Sequence, residues 1–127
     1  MENLHIDATK YTPKIFLDAK SGILEIIGKS YPENTFEFYE PVMTWVKDYF
    51  ENSVQEETSI NIEISYFNSS SSKLLFDFFD LVEENMDSSD IVINWIYDEE
   101  NETALEAGED FIEDFETLNI NLQPKAE

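Results

Sequence analysis

The chain is expected to fold as α/β, with a single mixed β-sheet packed with about three α-helices. Three observations predict this. Apolar residues switch between a two-residue period and helical spacing along the chain. After an initial hairpin, strand-like and helix-like segments alternate, the order produced by crossover connections. Finally, 42% of the 127 residues are apolar, with ten Phe, six Tyr and two Trp, enough for one packed core. Disordered acidic tails lack that aromatic and branched content. Residues 1–127 are therefore expected to form one domain.

The runs Lys14-Ile15-Phe16-Leu17-Asp18 and Ile23-Leu24-Glu25-Ile26-Ile27-Gly28 flank Ala19-Lys20-Ser21-Gly22, the pattern of a β-hairpin. Ser30-Tyr31-Pro32-Glu33-Asn34 interrupts that pattern. In the helix that follows, Val42, Trp45, Val46, Tyr49 and Phe50 form one stripe. Pro41 fits its first turn, where a missing N–H matters least. After the polar stretch Glu51 to Thr58, Ile60, Ile62, Ile64 and Tyr66 alternate with polar residues as one face of a strand.

Leu74, Leu75, Phe76, Phe78, Phe79, Leu81, Val82 and Met86 mark a second helix, apolar over most of its circumference. Such a helix is either deeply buried or shared with a partner, so a homodimer stays open. Ile91-Val92-Ile93-Asn94-Trp95-Ile96-Tyr97 reads as a central strand. Asp98-Glu99-Glu100-Asn101-Glu102 leads into a third helix with Leu105, Phe111, Ile112 and Phe115 on its inner face. Leu118, Ile120 and Leu122 suggest a short last strand, and Gln123 to Glu127 a loose tail.

Charge excludes several functions. There are 29 acidic against 7 basic residues, a formal net charge of −22, and every basic residue is Lys. A chain without a basic face cannot neutralise a phosphate backbone, so no nucleic acid is expected as partner. Anionic lipid is excluded by the same sign argument. The acidity serves solubility or steers the protein toward a basic partner. Without cysteine there is neither disulfide nor thiolate chemistry. The N-terminus lacks a signal-peptide pattern, and no apolar run reaches the roughly 20 residues of a membrane span. A cytoplasmic location follows as the expectation.

Nothing in the residues supports an enzyme. His5 is the only histidine, near the N-terminus, and reads as a surface or strand-edge residue rather than a general base. Gly22, Gly28 and Gly108 are scattered and build no phosphate-cradling loop. Pairs such as Glu83-Glu84 and Glu109-Asp110 arise by chance in so acidic a chain. Asp98-Glu99-Glu100 could attract Ca²⁺ but lacks the glycine and spacing of an EF-hand, and a solvated helix start explains it better. No cofactor and no metal are expected.

The most informative segment is Asn68-Ser69-Ser70-Ser71-Ser72-Lys73, between the Ile60–Tyr66 strand and the second helix. A helix start exposes N–H groups, and an N-cap needs a single side-chain acceptor. Four hydroxyls exceed that need, and Lys73 puts a cation where helices usually prefer acids. A phosphate added there would meet oriented amides, a positive dipole end and one ammonium. It would contribute roughly −1.5 to −2 charges at pH 7. On a strongly negative surface that repels a docked acidic or apolar partner face.

The sequence resembles the SiaC-type regulatory phosphoproteins, small bacterial proteins comparable to STAS-domain anti-sigma factor antagonists. The shared features are Leu4-His5-Ile6 with Thr12-Pro13, Ser30-Tyr31-Pro32-Glu33-Asn34, Trp45, Asn68-Ser69-Ser70 with Lys73, Asp80-Leu81 with Glu83-Glu84, and Trp95 with Tyr97-Asp98. The resemblance implies a STAS-like domain phosphorylated on one hydroxyl by a dedicated SiaB-like protein kinase. A metal-dependent, SiaA-like Ser/Thr phosphatase removes the phosphate. The unphosphorylated form binds and activates an effector, in the best-known system a diguanylate cyclase that controls aggregation and biofilm formation. The family's acceptor threonine corresponds here to Ser69; Ser70 matches the pattern as the cap, and Ser72 replaces an apolar residue. The resemblance thus implies a partner-switching component with Ser69 as acceptor and Asn68, Ser70 and Lys73 as its surroundings. The competing readings are an acidic inhibitor or nucleic-acid mimic of a basic protein, and an enzyme using carboxylates.

Overall fold

The computed structural model describes residues 1–126. Six strands form one sheet in sequential order: β1 (Leu4–Ile6), β2 (Lys14–Asp18), β3 (Ile23–Ser30), β4 (Glu57–Phe67), β5 (Asp90–Asp98) and β6 (Ile120–Lys125). β1, β2 and β3 pair antiparallel, whereas β3 to β6 run parallel. The parallel strands are joined through α1 (Thr35–Asp48), α2 (Ser69–Glu84) and α3 (Glu102–Asp114). Crossovers of one hand that advance in one direction all land on the same face of a sheet.

Burial follows that geometry. Leu17, Leu24, Ile60, Ile93 and Ile120 stand in register across five strands, and all are buried. The next row, Ile15, Ile26, Ile62 and Trp95, is equally enclosed. The alternate residues Phe16, Glu25, Asn61 and Asn94 occupy the opposite, half-buried face. One apolar face under helices and one open polar face account for the period-two pattern of β4.

Each helix starts the same way. Asn34, Asn68 and Asn101 are the N-caps, and their side-chain oxygens accept from the amides of Glu37, Ser71 and Ala104 at 3.0, 2.8 and 3.1 Å. All three caps follow the C-terminal ends of parallel strands, so the helix starts gather along one edge of the domain. In open α/β sheets that edge is where ligands and partners are met.

Several expectations are corrected. Pro41 lies inside α1, not in its first turn, because the Asn34 cap starts the helix at Thr35; Pro41 faces solvent. β1 adds a three-residue edge strand too short to announce itself, held where Trp45 Nε1 donates to the Glu2 carbonyl at 2.8 Å. Glu51–Ser53, the start of the polar stretch, continue α1 within a π-helical turn, Tyr49–Ser53, whose Tyr49 and Phe50 are buried.

Tyr66 turns outward instead of joining Ile60, Ile62 and Ile64. The pairing with β3 shifts register at Gly28/Lys29, and Tyr66 is 54% exposed. On α3 the inner face belongs to Ala104, Gly108 and Phe111, with Leu105 and Ile112 only half-buried. Gln123, Pro124 and Lys125 are no loose tail but the end of β6, paired with Ile96, Tyr97 and Asp98. Pro124 is tolerated because β6 is an edge strand. Glu127 falls outside the described residues.

Candidate functional site at the start of the second helix

The serine run has four different environments. Ser69 and Ser70 are exposed, Ser71 is fully buried and Ser72 is intermediate. This follows from helical geometry: Ser69 is the first residue of α2, and steps of about 100° carry the third one inward.

The cap is Asn68, not Ser70. Its side chain takes the Ser71 amide and its carbonyl takes the Ser72 amide at 3.0 Å. The Asn68 amide in turn donates to the Ser30 carbonyl at 3.1 Å, tying the turn to the end of β3. Capping therefore accounts for the Ser71 and Ser72 amides. The amides of Ser69 and Ser70 are those that a helix start leaves for water or an anion.

Lys73 does not stand alone beside the hydroxyls. Its Nζ lies 2.6 Å from Asp77 Oδ1 one turn on, in an exposed pair worth only tenths of a kcal/mol. An anion at Ser69 would have to share that ammonium with a carboxylate.

Ser69 borders two clefts. One of about 590 Å³ runs between α2 and α3, with Phe67, Phe76, Ala107 and Phe111 among its walls. The other, about 570 Å³, lies between the starts of α1 and α2, where Phe36 and Leu74 meet Ser69 and Ser70. Phe36 is 68% exposed, an unusual position for a large apolar side chain. Close to this edge Tyr11, Tyr31 and Tyr66 pack edge to face, with ring centroids 5.3 and 5.2 Å apart.

A family model described as SiaC family regulatory phosphoprotein matches residues 6–125. The chain belongs to the SiaC family. An uncharacterized protein of Pseudomonas aeruginosa strain UCBPP-PA14 is 36% identical over 115 residues, 90% of each chain. The crystal structure of apo-SiaC from P. aeruginosa superposes with a TM-score of 0.88 at 34% identity, covering 97% of this chain and 99% of that one. SiaC crystallised with the diguanylate cyclase SiaD, whose activator it is, matches at a TM-score of 0.88 and 34% identity over 96% and 99% of the two chains. The mixed sheet with three helices is thus the SiaC fold, and the family is a regulatory one.

Of the residues singled out from the sequence, Asn68, Ser69, Ser70 and Lys73 do gather on one turn. Sequence reasoning missed the anchor of that turn, Ser30 with Tyr39 behind it, and the α3 residues Thr103, Glu106, Asp110 and Asp114 that line the cleft beside it. The carboxylates did carry a signal: Glu106, Asp110 and Asp114 recur at steps of four, a single stripe of a helix. His5 sits on edge strand β1, with Nε2 3.2 Å from Asp7 Oδ1. Asp98 Oδ1 accepts from the Glu100 amide at 2.8 Å as an ordinary turn residue. Among the described residues no three His, Asp or Glu side chains converge as a metal-binding group, and no helix is long and apolar enough to cross a membrane.

Proposed function

We propose that this SiaC family member is a non-enzymatic phospho-switch with Ser69 as acceptor. A partner protein kinase adds the phosphate, a metal-dependent Ser/Thr phosphatase removes it, and the unphosphorylated form binds and activates an effector in the cytoplasm. The effector best supported is a diguanylate cyclase, since a relative covering nearly the whole chain forms such a complex. The reading is carried by one observation: Ser69 is an exposed hydroxyl on the first residue of a capped helix, bordering two clefts.

Physics gives the direction of the switch. The α2 start offers two free amides and a dipole end, so a phosphate there costs the fold little. A partner face covering Ser69 would have to strip water from a dianion, on a surface that is negative already. Phosphorylation therefore releases the partner.

The test compares Ser69→Asp with Ser69→Ala in binding to a purified diguanylate cyclase from the same organism. Ser69→Ala should keep binding and cyclase activation, and Ser69→Asp should lose at least about tenfold in affinity. Equal behaviour of the two variants, or a phosphoryl group mapped only to other residues, sinks the proposal.

A further inference from the structure

We infer that the uncovered face of the sheet is where two copies of this chain pair, strand over strand, as a two-fold sandwich. This surface lies on the far side of the sheet from the helices, and its pairing does not depend on the state of Ser69.

Strands β3 to β6 are parallel, and parallel strands are ordinarily covered on both faces. Here the helices cover one face only. The other leaves Ile23 exposed and Phe16, Ile27, Val92 and Ile96 half-buried. Its charges nearly cancel. Lys14 offsets Asp18 on β2, and Lys125 Nζ lies 2.9 Å from Glu63 Oε2, so Glu25 is the uncompensated charge of the central rows. Glu57, Asp90 and Asp98 stand at the strand ends, where the rim of an interface stays wet. In a chain of net charge −22, such a face lets two copies meet without stacking like charges.

The face is also its own complement. Phe16, Glu25, Asn61, Asn94 and Asn121 stand in register as one row from β2 to β6. A two-fold axis along that row lays each strand antiparallel over its own copy, with the sheets about 10 Å apart and the strands crossing by about 30°. Lys14 then faces Asp18 of the second copy, Ile27 faces Ile23 and Ile96 faces Val92. Each of these pairs flanks the row symmetrically on its strand. On the row, Asn94 Nδ2 donates to Asn61 Oδ1 at 2.9 Å. Amides carry donors and acceptors together, so both can pair with their own images. Glu25 alone meets a like charge.

With its rim, each copy contributes roughly 20 residues, the scale of one side of a standard interface. The carboxylates of the helices stay on the outer sides, beyond the Debye length of about 8 Å at physiological salt, and scarcely oppose the pairing.

The experiment weighs the purified full chain by sedimentation equilibrium in about 0.15 M salt, from about 10 μM to about 1 mM. The mass should rise from monomer to dimer over that range. Glu25→Gln should tighten the dimer by about threefold or more, a gain that no folding defect imitates. Ile96→Lys should loosen it by about tenfold or more. Lys14→Asp and Asp18→Lys should each weaken it, and the two together should restore it, because the exchange rebuilds both contacts with their signs reversed. A double variant no better than the single ones rejects the two-fold register. A chain that stays monomeric throughout, even one whose sheet face another protein covers, overturns the pairing. So does a dimer indifferent to all these variants, whose contact then lies elsewhere.

Discussion

The Ser71 hydroxyl donates to the main-chain carbonyl of Ser30 and accepts from the Ser30 hydroxyl, both at 2.8 Å. The two residues lie 41 positions apart, and both are fully buried. Since Ser30's proton is committed to Ser71, the neighbouring Tyr39 hydroxyl donates to Ser30 Oγ. The first turn of α2 is thereby bolted to the end of β3 and to α1. Ser69 and Ser70 project from this anchored turn, not from a loose loop.

Removing the anchored, buried hydroxyl of Ser71 should cost more than removing the exposed one of Ser70 beside it. Ser71→Ala leaves the Ser30 carbonyl without its side-chain donor and the Ser30 hydroxyl without its acceptor, a loss of about 1–3 kcal/mol. Ser70→Ala should stay within about 0.5 kcal/mol. Urea unfolding of the two variants checks the contrast; equal stabilities refute it.

Tyr39 gives the anchor an alkaline limit. Burial pushes its pKa up from 10.0 to about 12. The unfolded chain releases this proton first. The contribution is therefore complete below pH 10 and lost as pH climbs from 10 through about 12. Unfolding free energies of Tyr39→Phe should fall less steeply than those of the wild-type chain over that window. Parallel curves would show that Tyr39 is not held neutral by the fold.

Gly108 sets how closely α3 approaches β5. A Cβ at that position would lie 2.6 Å from Trp95 Cδ1 and 2.7 Å from Leu122 Cδ2. Trp95 cannot yield easily, because its indole N–H donates to the Ala104 carbonyl at 2.9 Å in the buried core. Gly108→Val should destabilise by about 1–3 kcal/mol and alter the near-ultraviolet dichroism of the Trp95 environment. Unchanged stability would mean that α3 can slide.

The cap should outweigh the cation on α2. Asn68→Ala removes the acceptor of the Ser71 amide and should cost about 1 kcal/mol. Lys73→Met breaks only an exposed pair with Asp77 and should change stability by less than about 0.5 kcal/mol. Thermal unfolding of both variants decides the order.

Much of this architecture was legible without coordinates. The alternation at Ile60, Ile62 and Ile64 marked β4, and the stripe of Val42, Trp45, Val46, Tyr49 and Phe50 marked α1 and its π-helical continuation. Boundaries were less legible. Asn34, seven residues ahead of Pro41, started α1, because a side-chain acceptor begins a helix whereas proline merely survives in one. β1 and the end of β6 exist by pairing with neighbours, and short edge strands carry little pattern of their own.

The linear order of residues by itself determined the class of the domain, its acidity and the turn on which hydroxyls would gather. Those properties are local or additive: period, composition and capping chemistry are written residue by residue. Only the tertiary structure decided that Ser71 is sealed against Ser30 while Ser69 is open, and that carboxylates of α3 border the same cleft. Such distinctions depend on which elements the sheet brings side by side, and the parallel crossovers place partners dozens of residues apart in contact.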